Sequence, residues 1–183
     1  MKICVLFPGI GYTNDRPLLY YAGKMMASHG YELIRLDYHD LPGKVKGDRE
    51  KMLEAFNIAS EQIADRLKDV DWDKYDEILF IGKSIGTAVA ANYGKVKGLK
   101  VSYVFLTPLV ETFLYTTPAT GIAFHGNSDP WAETKTLIRV CDENSTPVTV
   151  YEGANHSLET GNVLRDIEIA SDVMNKIREY VKL

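Results

Sequence analysis

Short apolar runs alternate along the chain with longer stretches in which apolar residues recur every three or four positions. The first pattern is that of strands covered on both faces, and the second is that of helices laying one stripe on a sheet. The spacing predicts strands over Lys2–Phe7, Glu32–Asp37, Glu77–Gly82, Val101–Leu106, Gly121–His125 and Thr146–Tyr151. It predicts helices over Pro17–His29, Arg49–Lys68, Ile85–Tyr93, Trp131–Val140 and Val163–Val181, with His29-Gly30 as a helix end. In Arg49–Lys68 the residues Met52, Phe56, Ala59, Ile63 and Leu67 form one apolar stripe, while Glu, Asp and Lys face water. Such alternation implies βα units feeding a mainly parallel, roughly six-stranded sheet in a three-layer α/β/α sandwich. Residues 1–183 read as a single domain without repeat, low-complexity tract or linker. The longest irregular stretches, His39–Asp48 and Thr107–Thr120, both follow strands, where sites in such folds are built.

Charge narrows the partners. Against 25 acidic side chains stand 21 basic ones, for a net charge of -4, and no basic block is available to neutralise a run of phosphates. Nucleic acid is therefore not an expected partner. The apolar start Met1–Phe7 is stopped by Pro8-Gly9, too soon for a signal peptide, and no run approaches the roughly eighteen apolar residues of a membrane span. A cytoplasmic protein with no membrane association is expected. The two cysteines, Cys4 and Cys141, form no CxxC pair and read as buried thiols.

The chemistry concentrates in three loops. Gly82-Lys83-Ser84-Ile85-Gly86 follows a predicted strand and opens a predicted helix, which is the setting G-x-S-x-G requires. A nucleophile on a sharp strand-to-helix turn needs small flanking residues where strand and helix approach, and glycine stands at both flanks. A serine hydroxyl also needs a base to remove its proton, and the base needs an acid to hold its tautomer. Asp129 lies in the loop after Gly121–His125, and His156 in the loop after Val148–Tyr151. Simpler roles exist for each: Ser84 as a helix cap, Asp129-Pro130 as a helix start, His156 as an ordinary loop residue. His125 is a rival base, disfavoured by its position inside a strand end. His29 reads as a helix terminus and His39 as a surface residue.

The order Ser84, Asp129, His156, each at a strand's carboxyl end, resembles the α/β-hydrolase superfamily from first strand to last helix. The likeness is to its small, lidless, esterase-like members of the dienelactone-hydrolase kind. Gly126-Asn127-Ser128-Asp129-Pro130 is similar to the family's acid loop, and Gly153-Ala154-Asn155-His156 to the loop ending in its histidine. The resemblance implies hydrolysis of a small carboxylic ester or thioester through an acyl-enzyme, with no cap domain and no metal or organic cofactor. It also implies oxyanion donors from the Ile85 N–H and from the loop Phe7–Tyr12, where Ile10 is expected to donate, with Gly11 behind it. Pro8-Gly9 stands where many relatives have His-Gly. A dinucleotide-binding reading of Gly9-x-Gly11 fails, because Asn14 occupies the place of the third glycine.

For the substrate pocket, Tyr12, Lys83, Phe113, Tyr115 and Trp131 are the expected contributors, with Leu109, Val110 and Leu114 beside them. The apolar stretch Leu109–Tyr115 equally fits core packing. Lys83 departs from the bulky or histidine residue usual at that point of the elbow. Its stem is expected to cover apolar surface, the alternative being that its charge steers an anionic substrate, and it is not expected to be the base. A non-catalytic binding protein on the same fold is the alternative in another functional class.

Overall fold

A computed structural model describes residues 1–183. The elements are β1 (Lys2–Phe7), α1 (Pro17–Ser28), β2 (Tyr31–Arg35), α2 (Arg49–Arg66), β3 (Glu77–Lys83), α3 (Ile85–Val96), β4 (Ser102–Leu106), β5 (Gly121–Gly126), α4 (Thr134–Glu143), β6 (Val148–Tyr151) and α5 (Val163–Tyr180). All six strands are parallel, in the order β2-β1-β3-β4-β5-β6. The order reverses between β1 and β3, which opens a crevice at their carboxyl ends.

Strand alternation builds two cores, one on each face of the sheet. Ile3, Val5 and Phe7 of β1, Ile78 and Phe80 of β3, and Tyr103 and Phe105 of β4 face α2, α3 and α4. Cys4, Leu6, Leu79, Ile81, Val104 and Leu106 face α1 and α5. The predicted α2 stripe packs on the first face, with Ala59, Ile63 and Leu67 fully buried and Met52 and Phe56 half-buried. Cys4 and Cys141 are buried free thiols.

Several boundaries differ from the periodicity, each for a local reason. The α4 helix begins at Thr134 rather than Trp131, because Glu133 takes the capping role, accepting from the N–H groups of Lys135 and Thr136 at 3.2 and 2.7 Å. Asp129 does not cap α4. Strand β6 starts at Val148, two residues late, after Pro147, which has no N–H to enter the ladder. Strand β2 is Tyr31–Arg35 rather than Glu32–Asp37, although the Leu36 N–H still donates to the Leu6 carbonyl at 3.1 Å. Helix α1 stops at Ser28, with His29 as its cap and Gly30 at φ 82°. Helix α3 runs one turn further than expected, to Val96, and α2 ends two residues sooner, at Arg66. Within Thr107–Thr120 a short 3₁₀ turn forms over Val110–Leu114. No helix is long and apolar enough to cross a membrane.

Packing is tight where β3 turns into α3. A Cβ on Gly82 would fall 2.7 Å from the Thr87 Cα and 2.8 Å from the Gly86 carbonyl oxygen, and one on Gly86 would meet the Phe7 and Pro8 carbonyl oxygens. These neighbours are backbone and cannot rotate aside. Gly82→Ala is therefore expected to destabilise the fold by about 2 kcal/mol or more, read from urea unfolding, whereas Gly43→Ala, in open space, should change it little.

Candidate active site

The elbow is held from every side. Ser84 has φ 56° and ψ -127°, a conformation that is strained for a residue with a side chain. Its N–H donates to the Leu106 carbonyl of β4 at 3.0 Å. Its carbonyl accepts from the Thr87 N–H at 2.9 Å and the Thr87 hydroxyl at 2.6 Å. Gly9, in the turn after β1, lies so close that a Cβ there would sit 3.1 Å from the Ser84 Cβ. The Ser84 side chain makes no capping bond to α3. Instead its Oγ lies 2.8 Å from the His156 Nε2, and the His156 Nδ1 lies 2.7 Å from the Asp129 Oδ2. Three residues far apart in the chain thus form one hydrogen-bonded line across the carboxyl edge of the sheet.

Backbone stitching brings the acid and histidine loops together. The Ser128 N–H donates to the Ala154 carbonyl at 2.9 Å, the Asn127 N–H to the Tyr151 carbonyl at 3.1 Å, and the Gly153 N–H to the Asn127 side-chain carbonyl at 2.7 Å. Gly126 is required at this seam, since a Cβ there would strike the Ala154 carbonyl. Asp129 uses Oδ1 to accept from the Trp131 N–H at 2.8 Å, which turns the chain and leaves Oδ2 for His156. Asn155 closes the histidine loop, accepting from the Ser157 N–H at 2.7 Å and donating its own N–H to the Glu159 carbonyl at 2.9 Å.

Sequence reasoning missed Thr107. It is fully buried at the end of β4, has φ 44°, and donates its hydroxyl to the His156 carbonyl at 3.0 Å. A β-branched residue at positive φ is an outlier that surrounding structure must enforce. The only signal in the chain was a threonine directly after the apolar run of β4.

Of the expected oxyanion donors, Ile85 follows Ser84 as the first residue of α3. The loop after β1 closes on itself through paired backbone bonds between Gly9 and Tyr12, leaving Ile10 and Gly11 at its tip. Gly11 has φ 73°, and Ile10 is 39 % exposed. None of the Ile85, Ile10 and Gly11 N–H groups donates to another backbone carbonyl of the chain.

The expected pocket residues divide. Trp131 lies beside the site, its ring 5.5 Å from that of His156. Phe113 is core: it is buried and packs edge-on against Phe105. Tyr115 is half-buried and stacks on Phe56 at 5.3 Å, Leu109 is buried, and Leu114 is exposed. Tyr12 is buried on the opposite face, where its hydroxyl accepts from the Leu18 N–H at 3.2 Å. It lines a groove of about 1190 Å³ between α1 and α5 that also takes in Leu158 and Met174 but neither Ser84 nor His156. Lys83 corrects the expectation of an exposed head on a buried stem, because the whole side chain is buried, at 1 % exposure. Its Nζ rests 4.7 Å from the centre of the Tyr12 ring.

Burial dominates the electrostatics. It pushes the His156 imidazole below its ordinary value, as do the cations Lys83 and Lys46, while the bond to Asp129 works in the other direction. Burial lowers Lys83 to about 7, with Asp129 and Glu159 opposing. The rival base His125 is fully buried, and its Nε2 pairs with the Thr134 hydroxyl at 3.0 Å. Its Nδ1 sits 3.8 Å from Asp129 Oδ2, on the acid and not on the serine. His39 is at the surface beside Asp37, at 3.2 Å. No three His, Cys, Asp or Glu side chains are grouped to hold a metal ion.

No protein-family profile and no curated protein sequence matches the chain. Solved structures do. An alpha-beta serine hydrolase homologue from Coxiella burnetii is 19 % identical with a TM-score of 0.67, the match covering 96 % of this chain and 84 % of that one. A serine hydrolase without a lid from Xanthomonas campestris is 11 % identical with a TM-score of 0.69, covering 97 % and 81 %. An esterase from Pyrococcus furiosus is 15 % identical with a TM-score of 0.68, covering 99 % and 82 %. With its all-parallel sheet, helices on both faces and β3 elbow, the chain has the α/β-hydrolase fold without a cap domain.

Proposed function

We propose that this protein is a serine hydrolase that cleaves a small carboxylic ester or thioester through an acyl-enzyme intermediate. The observation that carries the reading is the unbroken line Ser84 Oγ, His156 Nε2, His156 Nδ1, Asp129 Oδ2, with contacts of 2.8 and 2.7 Å. Asp129 accepts a hydrogen bond from the Nδ1–H and so keeps the Nε2 lone pair turned toward the serine hydroxyl. As Ser84 Oγ attacks the acyl carbonyl, its proton passes to His156 Nε2, and the carbonyl oxygen takes up negative charge. The N–H groups of Ile85 and of Ile10, with Gly11 as the neighbouring candidate, are the donors for that oxyanion. Collapse of the tetrahedral intermediate returns the proton from His156 to the leaving alcohol or thiol. Water, deprotonated by the same imidazole, then attacks the acyl-enzyme and releases the acid and the free serine.

The known esterase and lidless hydrolase of the same fold support the general class, since each is described as a hydrolase. The His156 side chain is 19 % exposed, and no cap covers the site, so water reaches it and short acyl groups are the fitting substrates.

Three experiments test the reading. A fluorophosphonate probe should label the protein, and the label should vanish in Ser84→Ala; an unlabelled wild-type protein would instead favour a binding role on a hydrolase fold. Steady-state assays with p-nitrophenyl acetate should show Ser84→Ala and His156→Ala lowered by about 10⁴-fold or more, and Asp129→Asn by about 10³- to 10⁴-fold. Across p-nitrophenyl esters of graded length, acetate and butyrate should be turned over faster than long-chain esters, and the reverse order would remove the small-substrate assignment.

A further inference from the structure

The mechanism just described makes no use of Lys83, yet few residues of the protein are more unusual. It is charged, 1 % exposed, and the immediate neighbour of the candidate nucleophile. Alternation along β3 sends it to the α1 and α5 face, where its Nζ rests on the Tyr12 ring and makes neither an ion pair nor a hydrogen bond with any protein group. An aromatic face offsets part of the cost of removing an ammonium from water, but far less than a carboxylate contact would. An apolar side chain of similar shape would fill this space at lower cost to stability. The charge therefore calls for a role beyond packing.

Lys83 stands in a cluster drawn from several loops: its Nζ rests on Tyr12 in the turn after β1, its chain neighbour Ser84 holds the His156 imidazole of the loop after β6 at 2.8 Å, Asp129 of the loop after β5 holds the far side of that ring at 2.7 Å, and the Asp129 and Glu159 carboxylates favour the lysine's charge. Of these, His156 alone changes charge during the proposed reaction. Its surroundings oppose one another. The Asp129 carboxylate favours the imidazolium, the Lys83 ammonium disfavours it from a site with little water, and Lys46 disfavours it from the solvent side, where its Nζ lies 5.9 Å over Trp131. His125, fully buried at the end of β5, reaches Asp129 at 3.8 Å and belongs to the same set. A buried charge acts through a medium that screens poorly, so Lys83 has the longer electrical reach of the two lysines.

We propose that Lys83 is a positioning residue for the hydrolysis inferred above: its buried ammonium, held on the Tyr12 ring beside the elbow, disfavours the protonated imidazole and sets the pH at which the Ser84 and His156 pair becomes competent. The sign is as follows. While Lys83 is charged, His156 surrenders its proton at lower pH, so the free base that accepts the Ser84 proton persists into mildly acidic conditions. Burial also lowers Lys83 itself, to about 7, so its charge fades as the pH rises through neutrality and the two groups titrate as a coupled pair. Because the effect is exerted on His156, it rests on the triad reading for its catalytic meaning but is measurable without turnover.

The test is an NMR titration of the His156 Cε1–H in the intact protein, paired with pH profiles of kcat/KM on p-nitrophenyl acetate, for wild type, Lys83→Met, Lys83→Gln and Lys46→Met. Removing the Lys83 charge should raise the His156 midpoint, and with it the acidic limb of kcat/KM, by about one pH unit. That shift should survive high salt, whereas the smaller shift from Lys46→Met should be screened away. Thermal unfolding at pH 6 should find Lys83→Met at least as stable as wild type. Should neither neutral variant fold, the wild-type protein alone suffices: the His156 resonance should show a second inflection coinciding with the titration of Lys83, observed through labelled lysine. A His156 midpoint that stays put or falls in the variants, or a single inflection in wild type, overturns the proposal. Absence of ester turnover with the midpoint shift intact would sink the hydrolase reading and leave the action of Lys83 on His156 standing. Turnover with an unmoved midpoint would do the opposite.

Discussion

Everything in the site hangs on one backbone conformation, the positive φ of Ser84 at the junction of β3 and α3. An L-residue does not adopt it unaided, so the fold must enforce it. The β4 edge takes its N–H, the first turn of α3 takes its carbonyl, and the turn after β1 presses on it through Gly9. Gly82 and Gly86 are the complement of that pressure, since β3, α3 and the end of β1 approach more closely than any side chain allows. The result is a hydroxyl lifted above the sheet at the point where strand order reverses, the crevice in which open α/β sheets bind ligands.

A hydroxyl so presented is inert without its partners, and their meeting is arranged mostly by main chain. Gly126, Asn127 and Ser128 are bonded to the loop after β6 before any ion pair is considered. Thr107 then holds the His156 carbonyl from β4, again from a strained backbone angle. Positive φ at both Ser84 and Thr107 means that neighbouring strand ends carry strain at the same edge. Rigid sheet ends can bear it, because the ladders of β3, β4 and β5 beneath them are continuous.

Electrostatically the site is a small, balanced cluster in which the Asp129 carboxylate is enclosed while the His156 side chain stays 19 % exposed to water. Asp129 supplies a negative charge that His156 uses through a short bond, and His125 approaches the same carboxylate from the other side. Lys83 supplies a positive charge from the opposite face of the sheet to that of α4 and Thr134. A lone carboxylate so enclosed would bind the proton of His156 too well to let it be exchanged cheaply. A buried cation nearby weakens that hold, which is consistent with the direction of the His156 perturbation.

Periodicity and glycine placement were enough to predict the strands, the helices and the sharp turn after β3, and to single out Ser84, Asp129 and His156, which the fold brings into one hydrogen-bonded line, because those signals are local: each needs only a run of apolar residues or a turn next to a strand. Buried cysteines and the surface position of His39 were legible for the same reason. What the chain could not disclose depended on groups distant in sequence. Phe113 looked like a pocket residue and became packing, because whether an apolar loop residue faces a cavity or Phe105 is decided by the elements laid over it. The start of α4 shifted to Thr134 because Asp129 spent its side chain on the Trp131 N–H and on His156, leaving Glu133 to cap. Thr107 acquired a role only when β4 was laid beside β5 and the histidine loop. Lys83 was expected to keep its head in water, as lysines do, and only the closure of the Tyr12 turn over it buried the charge, since burial is a property of what surrounds a residue and not of the residue itself.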